Sequence, residues 1–78
     1  MQMHTDWRDS ADKIQDAIRF HAKRLGVAMD FATARRLARR EFWATAPARA
    51  PGEGVSAAAA SKMALAIIAN NCECPDLA

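Results

Sequence analysis

The residues best equipped for chemistry stand in "ARRLARREFW", residues 34–43, where two arginine pairs four positions apart run into a phenylalanine and a tryptophan. Guanidinium groups carry permanent charge and a planar fork of donors that suits phosphates and carboxylates. Trp43 beside them can stack on a base or fill a pocket in a partner. Arg35, Arg36, Arg39, Arg40 and Trp43 are therefore the candidate partner-binding residues, joined by Phe20, a large apolar side chain with no obvious core position. Three other readings of this cluster stay open: solvation, cover for Trp43 by Arg39 and Arg40 at helical spacing, and pairing with Asp9, Asp12 or Asp16.

Other reactive types are sparse. Cys72 and Cys74 form C-x-C in the tail "NNCECPDLA", shorter than the C-x2–4-C pairing of structural zinc and not the C-x-x-C of dithiol redox chemistry. With His4 and His21 they make a poor ligand set, so neither a metal nor a cofactor is expected. His21 is the one plausible base, at the edge of an apolar stripe and read as a partly buried core histidine. "PGEG" is a turn in a linker, with no glycine-rich cradle for phosphate, so no catalytic residues are assigned and no enzyme is expected. Asp9, Asp12 and Asp16 suit the first half of a helix, where they complement its dipole.

The elements that must carry these residues are helices. Sustained alternation and Asn-Gly or Asp-Gly turn signals are missing, and the fold class is all-α, a small three-helix protein made of a helical hairpin, a linker and an apolar third helix. The first helix is predicted over about 6–25, with Thr5 as N-cap and Gly26 at its stop. Trp7, Ala11, Ile14, Ile18, Ala22 and Leu25 form its core stripe, with Phe20 and the three aspartates across from it. The second helix runs over about 31–44, from an Asp30 cap to a break before Pro47. Phe31, Ala34, Leu37, Ala38, Phe42 and Thr45 face inward with Glu41 among them, while the four arginines and Trp43 make the outer face. Residues 45–56, "TAPARAPGEGVS", form a linker. The third helix, about 57–70 after a Ser56 cap, is apolar almost all round: Met63, Leu65, Ile67 and Ile68 project in nearly every direction. Residues 71–78 form a flexible tail.

Seventy-eight residues with 51% hydrophobic content make one domain, short enough that a partner subunit is the readiest source of extra stability. A homodimer is therefore expected, with Met63, Leu65, Ile67 and Ile68 as its self-association surface. The net charge of +2 excludes a polycation that coats nucleic acid or membranes. The apolar run "MALAIIA" is far below the roughly 20 residues of a membrane span, and the start lacks a signal peptide's pattern. A cytoplasmic protein without membrane association is expected. Abundant alanine and arginine match GC-rich bacterial genes, and small stand-alone helical proteins are frequent among phage and mobile-element products. The functional expectation is a non-catalytic binding protein that regulates, inhibits or adapts a macromolecular partner, a protein first of all, through exposed helix faces. The alternative is a nucleic-acid-binding regulator. The short "GVAMD" connection is compatible with a helix-turn-helix, but a face of arginine, alanine and tryptophan favours backbone contact over base reading.

Overall fold

Asp30 and Ser56 start two of the three helices by the same device, a short side chain accepting a hydrogen bond from an N–H the helix leaves unpaired. Asp30 Oδ1 accepts from Thr33 N at 3.2 Å, and Ser56 Oγ from Ala59 N at 3.1 Å. The computed structural model describes residues 7–50 and 52–71. They form α1 (Trp7–Leu25), α2 (Phe31–Ala44) and α3 (Ala57–Asn71), with a single 3-10 turn at Ala46–Ala48 in the linker and no strand among the described residues. The fold is thus the all-α, three-helix arrangement expected. Thr5, His4, Cys72 and Cys74 lie outside the described residues.

The helix ends follow from local chemistry. Gly26 adopts φ 76°, and two hydrogen bonds close α1, from Val27 N to Ala22 O at 2.8 Å and from Gly26 N to Lys23 O at 3.3 Å. That is the Schellman pattern, which favours a residue without Cβ at the left-handed position. At the far end of α2, Thr45 Oγ1 donates to Glu41 O at 2.9 Å. Arg49 donates to Phe42 O at 2.7 Å and to Thr45 Oγ1 at 2.6 Å, its guanidinium lying 4.5 Å from the Phe42 ring centre. Carbonyls that a helix end leaves without partners are thereby satisfied by side chains.

The first two helices are antiparallel along their full shared length. Trp7, opening α1, packs tilted against Trp43 near the end of α2 with ring centres 5.5 Å apart, and Arg19 stands 5.2 Å over the ring of Phe31, the first residue of α2. Twelve residues separate the two contact points on each helix, about 18 Å at 1.5 Å per residue. A helix-turn-helix crosses at about 90–120° and would part these distant ends. The first two helices are thus the helical hairpin expected of them, and not the crossed pair of a helix-turn-helix, with which the short connection alone was compatible.

α3 returns in the direction of α1, since Val55 bonds near the start of α1 and Ser61 near its end. Both α2 and α3 pack mainly on α1 and touch each other little. Ala11, Ile14, Ile18, Ala34, Leu37, Ala38, Phe42, Val55, Ala60, Ala64 and Ile67 form the core, and Ala22 and Ile68 are also buried.

Three expectations about burial change. Leu25 and Phe31 are exposed, not core: α2 begins level with Arg19, so the last turn of α1 overhangs it, and Phe31 sits at the uncovered rim. Ile67 and Ile68 are buried within the single chain, whereas Met63 is half-buried and Leu65 exposed. Small alanines at positions 60 and 64 let α3 seat these isoleucines without a second copy of the chain. No helix among the described residues is long and apolar enough to cross a membrane.

Candidate partner-binding face

The outer face of α2 divides in two. Phe31, Arg35 and Arg39 recur at i, i+4 and i+8 and form the ridge next to α1. Across from them stand Arg8, Asp12, Gln15 and Asp16, and the two rims enclose a shallow groove of about 410 Å³. Arg36 and Arg40 lie further out and are exposed, Arg36 lining a second shallow hollow with Phe31, Arg35 and Arg39. The five residues read from the sequence as one surface are therefore a groove rim, Arg35 and Arg39, and an outer flank, Arg36, Arg40 and Trp43. Facing Asp12 and Asp16 across the groove does not bring the arginines into pairs: no ion pair joins the two rims among the described residues.

Aromatic rings mark both ends of this face. At one end Trp7 lies between two cations, Arg8 at 5.0 Å and Arg39 at 5.2 Å from its ring centre. Trp43 packs tilted on Trp7 and edge-on to Phe42 at 4.9 Å, yet stays 54% exposed. Cover of Trp43 by Arg39 is corrected: Arg39 reaches across the hairpin to Trp7, which leaves the outer indole face open. At the other end Phe31 is 52% exposed beneath Arg19. Phe20, also exposed, lies apart from the arginines in a hollow shared with Lys23, Val27 and Met29, and Arg19 borders both regions.

Two polar residues missed by the sequence reading are buried on the flanks of the apolar stripe of α1. Ser10 belongs to the α3 side, where its Oγ accepts from Val55 N at 3.0 Å, and Lys13 Nζ donates to Val55 O at 3.3 Å. One turn of α1 thus holds both backbone groups of Val55. Gln15 belongs to the α2 side, 8% exposed and lining the groove. Its side-chain amide has no hydrogen-bond partner among the described residues. An amide left so placed costs about 1–3 kcal/mol, and native buried polar groups are nearly always satisfied by something. The only sequence signal for either residue was its place beside the stripe, at angles that a two-helix packing leaves in water.

His21 is half-buried between α1 and α3, close to the environment expected of it. Arg24 donates to its Nδ1 at 3.0 Å, which puts the ring proton on Nε2, facing Ser61 Oγ at 2.7 Å. In this tautomer the histidine donates to the serine and does not draw its proton, the reverse of a nucleophile–base pair. Among the described residues no group of three or more His, Cys, Asp or Glu side chains is placed to hold a metal ion. Asp30, capping α2, is held below the usual carboxylate range of 3.8, first by the hydrogen bond from Thr33, with Arg36 adding to the effect. No family model, curated protein or solved structure matches this chain.

Proposed function

We propose that this chain is a non-catalytic binding protein whose α1–α2 hairpin docks a protein partner, through which it regulates, inhibits or adapts that partner. The observation carrying the reading is the coexistence on one hairpin of exposed rings, Trp43 and Phe31, with the groove-rim arginines Arg35 and Arg39, which form no ion pair with a carboxylate among the described residues. Tryptophan and arginine dominate the energetic centres of protein interfaces, because large rings lose little entropy on docking and guanidinium forks bind carboxylates bidentately. A protein is favoured over nucleic acid because Asp12 and Asp16 share the groove with Arg35 and Arg39, and a phosphate backbone would meet those carboxylates as well as the cations.

Affinity capture from the natural host, comparing the wild type with a double variant, Arg36→Glu with Arg40→Glu, and with Trp43→Ala, tests the reading. These positions are exposed, so the variants are expected to fold normally and to lose the captured protein. Undiminished capture by all variants would remove the hairpin face from the interaction. Titration with duplex DNA over a range of salt concentrations supplies the opposing outcome. A log–log slope of roughly −3 to −4, at about −0.9 per phosphate contact, would assign the arginines to nucleic acid instead.

A further inference from the structure

We infer that the groove between α1 and α2 takes an extended peptide segment of the partner, with a main-chain amide seated on Gln15. The inference rests on the hairpin reading above and specifies its ligand. Gln15 lines this groove, and its buried carboxamide, with no partner among the described residues, holds one acceptor and two donors. An extended peptide offers the complement, a main-chain N–H and C=O in its exposed edge. A helix consumes those groups internally and cannot.

The rims set the side-chain pattern. Arg35 and Arg39 form the α2 rim, and Asp12 and Asp16 the α1 rim. Side chains of an extended segment alternate between opposite sides. An acidic residue turned toward α2 is therefore followed by a basic one turned toward α1, and no ion pair between the rims has to be broken first. The lining from Arg8 to Asp16 covers eight helical steps, about 12 Å of helix, which accommodates roughly four extended residues at about 3.3 Å each.

The probe is a capped hexapeptide, Ser-Glu-Lys-Glu-Lys-Ser, set against the composition-matched block sequence Ser-Glu-Glu-Lys-Lys-Ser and an alternating version N-methylated at its central peptide bonds. Nitrogen-15 NMR of the full chain follows the Gln15 side-chain amide and the Arg35 Nε–H signals. The alternating peptide is expected to shift both and to bind about tenfold more tightly than either control. Gln15→Met is expected to erase the preference over the N-methylated control while leaving the backbone spectrum that of the folded wild type. Gln15 signals that do not move up to millimolar peptide, or equal binding of alternating and block sequences, would overturn the inference. So would full affinity of Gln15→Met for a captured natural partner that the variant carrying both Arg36→Glu and Arg40→Glu loses; in that case the hairpin still docks its partner, by another mode.

Discussion

Ser10 and Gln15 occupy opposite flanks of the apolar stripe of α1, and their burial has different consequences. The Ser10 hydroxyl is the only partner given to Val55 N among the described residues, so Ser10→Ala leaves that N–H buried and unpaired. A loss of about 1–3 kcal/mol is expected, read as a lower urea midpoint with unchanged slope. Gln15→Met removes an amide that bonds to nothing described in the free protein and keeps its volume, so the same urea measurement is expected to show no loss of stability. A destabilisation by Gln15→Met equal to that of Ser10→Ala would mean that the amide is satisfied within the folded chain. Neither burial was legible beforehand, because a polar residue beside a stripe is normally assigned to solvent. The stripe widens only because helices pack on both sides of α1. Arg39 misled for a related reason: helical spacing joined it to Trp43, but its long side chain reaches Trp7 on the neighbouring helix.

Among the elements, α2 has a start that responds to pH. Asp30 holds Thr33 N as a carboxylate, and its proton affinity is lowered in the fold. A carboxyl group with a depressed folded value contributes stability above its unfolded value, and loses it as pH falls through the folded one. The difference in stability between the wild type and Asp30→Ala is therefore expected to be full near neutrality and to shrink below the ordinary value of 3.8, measured by urea unfolding at several pH values. A difference independent of pH would exclude the charged cap. The caps at Asp30 and Ser56, the glycine stop at Gly26 and the three helical spans were all readable, since each depends on neighbours within one turn. The rotation of α3 was not. Ala57, Ala58, Ala59 and Ala60 carry no periodic signal, and with apolar residues all round nothing in the sequence distinguished Ile68, which is buried, from Leu65, which is exposed.

For the molecule as a whole, that distinction decides what α3 does. Ile68 is 2% exposed and Leu65 39%, so Ile68→Ala is expected to destabilise the chain by about 2–5 kcal/mol and Leu65→Ala by less than about 1 kcal/mol. Thermal unfolding of the two variants checks the placement, and equal effects would contradict it. Any pairing of copies through α3 must then use the exposed strip of Leu65 with Ala58, Ala66 and Ala69, and Leu65→Asp with sedimentation is the substitution that reports on it. The hold of Ser10 and Lys13 on Val55 has a further consequence. Only Ser56 lies between Val55 and the first residue of α3, so the clamp works as an index pin for the rotational phase of that helix. One residue inserted between Val55 and Ala57 would turn α3 by about 100°, carrying Ile68 out of the core. The same insertion between Pro47 and Ala50 lies upstream of the pin and leaves the phase untouched.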